Sequence, residues 1–269
     1  MLSKEQIKHI KSLRIKKYRN LYREFIAEGD KIVAELYHRN KQDTKSPFKI
    51  KKIFACPEWI KQQSISSQNS DLKIYDLKSG ELEKISSLKT PNQVLAIIHL
   101  PDHKINYNEV KNDLSIFLEN IQDPGNLGNI IRISDWFGIK NIFCSPDSAE
   151  IYNPKVIQSS MGSFSRVKVH YIDINSLIDN LNYSIQIYGT FLEGENIYNT
   201  KLSETGIIIM GNESKGIHPN LEKLVTKKLS IPTFPGDEAE INSLNVSAAT
   251  AIICSEFRRR IKRQHSYRQ

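Results

Sequence analysis

Three short polar turns in the second half of the chain hold the side chains best suited to chemistry. The first, Asp123-Pro124-Gly125-Asn126-Leu127-Gly128, runs into a segment of helical periodicity that carries Arg132. The second is Gly211-Asn212-Glu213-Ser214-Lys215-Gly216, and the third is Ser243-Leu244-Asn245, which leads into the small-residue run Ser247-Ala248-Ala249-Thr250-Ala251. A guanidinium at Arg132 is suited to hold a phosphate through two parallel N–H bonds, because its planar fork matches two anionic oxygens. Glu213 would be costly if buried alone, and Arg132 is the partner we expect for it. Glycines in the second turn allow left-handed backbone and the close approach of a ligand. Each feature also has a plain structural reading. Asn126 stands where an N-cap would, Ser243 and Asn245 can cap the last helix, and an isolated arginine is usually solvated. Three such turns in one half of a chain nevertheless read as walls of one site.

The elements that must position them alternate. Apolar, β-branched runs at 114–120, 141–145, 166–172, 183–192, 206–212 and 227–233 predict strands, and helical periodicity falls at about 126–137, 154–163, 175–181 and 243–263. Such alternation predicts an α/β domain with a mostly parallel sheet covered by helices on both faces. Ligands of these sheets bind at the carboxyl ends of strands, where all three turns fall. No Gly-x-Gly-x-x-Gly and no phosphate-binding Gly-Lys-Ser/Thr loop is present, which argues against an ordinary dinucleotide or nucleoside triphosphate site.

The first half reads as a smaller α/β module. A basic amphipathic helix is expected over 4–23, a strand, a turn at Glu28-Gly29-Asp30 and a helix over 25–39, and strands at 49–56, 72–77 and 93–100. The aperiodic stretch Pro101–Asn108 marks a linker, so the expected domains are 1–108 and 109–269. Charge divides the same way. Residues 1–110 carry 21 Lys and Arg against 13 Asp and Glu, whereas the remainder carries 17 of each. A basic module joined to a neutral one points to a polyanion partner, most simply nucleic acid. A second basic cluster, Arg258 to Arg268, lies where cations also favour a helix C-terminus.

The 269 residues are 39% apolar and 25% charged, the balance of a globular protein with a sizeable core. The longest apolar runs, 94–100 and 206–210, are too short to cross a bilayer, and the first residues show no secretory signal pattern. Cys56, Cys144 and Cys254 are odd in number and far apart. They predict neither a disulfide framework nor a metal site, and they fit a reducing cytoplasm.

The segments NLGNIIR, GNESKG and SIP…SLNVSAATA resemble, in order, spacing and placement, the three signature motifs of the SpoU (TrmH-like) RNA ribose 2′-O-methyltransferases of the SPOUT class. The resemblance covers about 113–263. The N-terminal part, ending in YREFIAEGDKIV, is similar to the ribosomal-protein-like substrate-binding domain that many of these enzymes carry. The resemblance implies a sheet whose C-terminal part is threaded into a trefoil knot holding S-adenosylmethionine. It implies Asn126, Arg132, Glu213, Ser243 and Asn245 as catalytic or site-building residues. Met210, Gly211, Gly216, Ile231 and Leu244 are the implied cofactor contacts, and no metal is implied. It also implies a homodimer through the knotted domain and an RNA substrate, rRNA ahead of tRNA. A non-catalytic RNA-binding or assembly protein on the same scaffold is the alternative. The chain departs from the family pattern in a longer loop at 233–242 and in Ser134, where an alanine is common.

Overall fold

The computed structural model describes residues 2–64, 72–182, 185–234 and 243–259. Its chain divides into two compact units, Met1–Lys104 with Glu150–Ser165, and Ile105–Ala149 with Arg166–Gln269. The boundary expected at 108/109 falls inside a short helix at Tyr107–Asn112.

The first unit is built around a mixed four-stranded sheet. Helices α1 (Lys4–Ser12) and α2 (Lys16–Tyr22) precede β1 (Glu24–Glu28) and α3 (Asp30–Gln42). Then come β2 (Ile50–Ala55), α4 (Pro57–Gln62), β3 (Lys73–Asp76), α5 (Ser79–Leu82) and β4 (Val94–His99). Strand order is β1-β4-β2-β3, with β4 antiparallel to both neighbours and β2 parallel to β3. The five residues Val94–Ile98 are buried, which fits a central strand covered on both faces.

The single helix expected over 4–23 is in fact two. Ser3 caps α1 through a capping box with Gln6, but Ile15 adopts extended backbone (φ −103°, ψ 128°) and breaks the run. Arg14 secures the break by donating to the carbonyls of Ile85 at 2.9 Å and Ser86 at 2.6 Å. Residues 150–165, which follow the second unit's strand at Asn141–Cys144, also belong here. Helix α8 (Pro154–Ser160) and a 3-10 turn at Ser163–Ser165 are held by Arg39, which donates to Ser165 O at 2.9 Å, and by the ion pair of buried Arg19 with Glu150.

The second unit contains α6 (Tyr107–Asn112), β5 (Leu114–Leu118), α7 (Pro124–Trp136), β6 (Asn141–Cys144), β7 (Lys168–Tyr171) and α9 (Ile174–Asn180). It continues with β8 (Ile187–Asn196), β9 (Gly206–Met210), α10 (Pro219–Glu222), β10 (Lys227–Ser230) and α11 (Val246–Arg259). The six strands lie in the order β10-β8-β9-β5-β6-β7, every pair parallel. The α/β class and parallel sheet expected from the alternation are thus present. Central strands β5 and β9 are buried along their whole length.

Strand β8 corrects the expected span of 183–192. Residues 183 and 184 lie outside the described residues, and the strand runs on to Asn196. Its extra length makes a second pairing with β10: Lys228 faces Gly189, whereas Leu229 faces Glu195. Gly194 permits this, because a Cβ there would stand 3.0 Å from the Leu229 carbonyl carbon. Helix α11 packs on α7, and Arg258 Nε donates to Phe137 O at 2.9 Å. No helix among the described residues is long and apolar enough to cross a membrane.

Candidate active site

Parallel strands bring their carboxyl ends to one edge, and the adjacent pair β5 and β9 ends in register, Leu118 opposite Met210. Past that line the two loops are tied together. Glu119 N donates to Met210 O at 2.9 Å, and Asn212 Nδ2 donates to Asn120 O at 2.8 Å. Asn212 also organises its own turn, its Oδ1 accepting from Ser214 N at 2.9 Å and Lys215 N at 3.1 Å. Asn212 and Gly216 exchange backbone hydrogen bonds of 3.0 and 2.9 Å, and Gly216 closes the turn with φ +66°. Gly211 is required by the same closure: a Cβ there would lie 2.4 Å from the carbonyl carbon of Gly216. That is an impossible contact for any other residue.

The first turn differs from expectation in its cap. Asp123, not Asn126, is the N-cap of α7, its Oδ1 accepting from Asn126 N at 2.8 Å, with Pro124 in the first turn where a missing N–H costs nothing. Asn126 therefore lies three residues beyond the cap, and its side chain is left for other work. It donates through Nδ2 to Glu213 Oε1 and accepts through Oδ1 from Asn245 Nδ2 at 3.1 Å. Asn245 is the cap of α11. Its Oδ1 accepts from Ser247 N at 2.9 Å and Ser247 Oγ at 2.6 Å.

These bonds fix each other's direction. With Oδ1 committed to the cap, Asn245 can offer only its amide N–H₂, so Asn126 must answer with its carbonyl oxygen. The Asn126 N–H₂ then faces Glu213, whose carboxylate only accepts. One residue from each of the three turns meets in a single oriented chain.

The other predicted residues stand apart from this chain. Arg132 is exposed on α7 and makes no ion pair or hydrogen bond through its side chain among the described residues. The expected pairing of Arg132 with Glu213 is therefore corrected: Glu213 is exposed and takes Asn126 instead, so no buried charge needs neutralising. Ser243 and Leu244 are exposed ahead of α11, whose cap is Asn245 rather than Ser243. Met210 is buried, Ile231 is half-buried just past β10, and Gly216 is exposed. Most of the longer loop, 235–242, lies outside the described residues.

Residues 113–255 match the SpoU rRNA methylase family, and residues 4–96 match the MRM3-like substrate binding domain. The chain belongs to the SpoU rRNA methylase family. A structure assigned to the TrmH family, from Porphyromonas gingivalis, is 34% identical, with a TM-score of 0.83 over 97% of this chain and 100% of that one. The 23S rRNA (guanosine(2553)-2′-O)-methyltransferase RlmP of Bacillus subtilis is 28% identical over 256 residues, 94% of this chain and 96% of the relative. An AdoMet-bound rRNA methyltransferase structure from Sinorhizobium meliloti shares the fold at 23% identity, with a TM-score of 0.82 and 98% and 97% of the two chains covered.

In this SpoU domain the sequence motifs leave out the residues that hold the loops rather than line them. Ser145 Oγ accepts from Asn120 N at 2.8 Å, and Ser148 Oγ accepts from Ile121 N at 3.2 Å, fixing the left-handed turn at Asn120 (φ 51°). The signal for Asp123 is the Asp-Pro pair, which marks an N-cap followed by the first helical residue. Asn212 is signalled by an Asn opening a polar turn after a strand, the usual setting for an Asx turn. Nothing local marks Ser145 or Ser148, whose backbone donors Asn120 and Ile121 are more than 20 residues away in sequence.

Proposed function

We propose that the chain transfers a methyl group from S-adenosylmethionine to a ribose 2′-hydroxyl of RNA, with rRNA ahead of tRNA as substrate. The observation that carries this reading is the junction of Asn126, Glu213 and Asn245 at the carboxyl edge of the sheet. A scaffold that had lost its chemistry would have no need to orient these three groups, which disfavours the non-catalytic alternative. Membership of the SpoU family and the likeness to RlmP along almost the whole chain support the rRNA assignment.

The residues at that edge suit the cofactor. Ile231 and Leu244 offer partly exposed apolar side chains of the kind that cover an adenine ring, and Leu244 is 49% exposed. A Cβ built on Gly216 would meet no atom within 4 Å, so its outer side is open. Met210 and Gly211 contribute strand-end backbone. Bound there, S-adenosylmethionine supplies an electrophilic methyl group. The chain's own task is to orient the ribose and to stabilise charge while the 2′-hydroxyl gives up its proton to water. Asn126, held from both sides, positions the reacting ribose, with Glu213, Ser243 and Asn245 building the wall around it. Arg132 stabilises the charge that develops on the 2′-oxygen and holds the adjacent phosphate, because a guanidinium stays protonated at neutral pH.

Residues 109–269 act as the methyltransferase domain, threaded as a trefoil knot, and residues 1–108 act as the RNA-binding domain. The protein works in the cytoplasm as a homodimer joined through its methyltransferase domain. Support for the dimer comes from an open groove of about 580 Å³ beside α11, lined by Tyr198, Ala251, Ile252, Ser255, Glu256 and Arg259. Trp136, on the helix that packs against α11, is 82% exposed. The deciding experiment maps alkali-resistant 2′-O-methyl positions in total RNA from cells with and without the protein. One position lost on deletion, and restored by the purified protein with S-adenosylmethionine, is the expected result. Calorimetry that finds no S-adenosylmethionine binding would refute the reading.

A further inference from the structure

The first 23 residues carry eight Lys and Arg against one acidic residue, Glu5. Three of the eight are already committed to the fold: Arg14 to backbone carbonyls, Arg19 to Glu150 and Arg23 to Asp102. The other five, Lys4, Lys8, Lys11, Lys16 and Lys17, are exposed and make no ion pair among the described residues. Their spacing is not random. Positions 4, 8 and 11 share one face of α1, opposite the buried Ile10, and Lys16 and Lys17 open α2.

Aromatic rings stand in the same segment. Tyr18 and Tyr22 lie nearly parallel, with centroids 6.2 Å apart and planes at 14°. His9 meets Tyr22 edge-on at 4.7 Å, and its Nε2 is 2.8 Å from the buried carboxylate of Glu24. That carboxylate also pairs with Lys51. Burial alone would raise the Glu24 pKa, but hydrogen bonds from Lys51 and His9 outweigh it and hold the group below its ordinary value. Tyr22 is therefore braced by an anchored histidine and yet 43% exposed, with Ile15 and Leu21 more exposed still. Apolar and aromatic surface left open beside unpaired lysines has no explanation in the core of this unit.

We infer that the α1–α2 segment is a docking surface for single-stranded or looped RNA, with the lysines on phosphates and Tyr22 stacked on an unpaired base. The inference rests on the RNA substrate proposed above and names where and how it is gripped. Lysine side chains release counterions from a phosphate chain, and an aromatic face accepts any base by stacking. A second copy of this chain would fit poorly, because it would bring like charges together. Holding Tyr22 in place beforehand lowers the ordering cost of binding.

The test measures the affinity of the full chain for a mixed-sequence single-stranded RNA oligonucleotide and for a duplex of equal length, across a salt series. Lys4→Gln/Lys8→Gln/Lys11→Gln should lower the magnitude of the salt slope by about two, from about 0.7 per phosphate contact on a single strand. Tyr22→Ala should weaken single-strand binding about tenfold while leaving the slope unchanged, in the range of one lost base–aromatic stack. Tyr22→Phe should bind like the wild type, which separates lost stacking from lost folding. If the wild type binds RNA and these variants bind equally well, or if the duplex is preferred, the docking surface is wrong and the proposed activity is untouched. A variant that changes oligomeric state but not RNA affinity would make this a protein–protein surface and overturn the inference. A wild type that binds S-adenosylmethionine but no RNA overturns the substrate reading and this inference together.

Discussion

Asn245 Nδ2 donates to Asn126 Oδ1 at 3.1 Å across 119 residues of sequence, joining the N-terminal ends of the second unit's first long helix and its last. The bond links two motifs through the one orientation that also points the Asn126 amide at Glu213. Replacing Asn126 by Asp removes that amide and sets two carboxylates against each other. Asn126→Asp is therefore expected to cut methyl transfer by one to two orders of magnitude, from the loss of a hydrogen bond to a charged group worth about 1.5–3 kcal/mol. Incorporation of labelled methyl into RNA checks it, with a thermal melt to show that folding survives. Near-normal activity would remove Asn126 from the machinery.

Arg132 tests the electrostatic step. It is exposed and without a protein partner among the described residues, so Arg132→Ala should leave Tm within about a degree, as surface changes usually do. Methyl transfer should nevertheless be lost while S-adenosylmethionine binding, measured by calorimetry, stays close to wild type. Arg132→Lys should recover little, because a point charge cannot grip two oxygens as a planar fork does. Full rescue by lysine would reduce the role of Arg132 to simple charge.

Much of the fold and the site is legible in the amino-acid sequence itself. Strands β5, β6, β9 and β10 and helices α7, α9 and α11 announce themselves by apolar runs and helical spacing, and the three turns by glycine and asparagine after those runs. Three features are not legible there. The break at Ile15 depends on Arg14 finding carbonyls 71 and 72 residues away. The second pairing of β8 depends on a partner strand, which no local pattern reports. The junction itself requires Asp123 to take the cap and so free Asn126. Residues 150–165 are a fourth case, since their alliance with the first unit rests on Arg19 and Arg39, far upstream. Deleting residues 1–108 would strip α8 of those partners, so point variants are the sharper probe of RNA binding.

Ser134 is fully buried on α7, and its hydroxyl has no hydrogen-bond partner among the described residues. A buried, unsatisfied hydroxyl costs about 1–3 kcal/mol, and serine is a poorer helix former than alanine. Ser134→Ala should raise stability by about 1 kcal/mol with activity unchanged. Thermal or denaturant unfolding checks it. A lowered midpoint would mean that the hydroxyl is satisfied in solution after all.

Glu109 gives a prediction in pH. Its carboxylate accepts from Lys168 Nζ at 2.7 Å, and this bond, against a smaller opposing effect of burial, holds its pKa below the ordinary 4.5; the charges of Lys168 and Lys140 act in the same direction. A carboxylate whose pKa is depressed on folding contributes stability that is fully present above its unfolded value and is lost as pH falls through its folded value. The pair is partly exposed, with 40% of the Lys168 side chain accessible, so its contribution at neutral pH is at most about 1 kcal/mol. Glu109→Gln should therefore melt slightly below the wild type at pH 7, and the gap should close as pH falls below the ordinary 4.5 and through the lowered folded value. Because α6, which carries Glu109, leads directly into β5, the melt should follow the second unit. A gap that widened in acid would reverse the sign and exclude the Lys168 pairing as its cause.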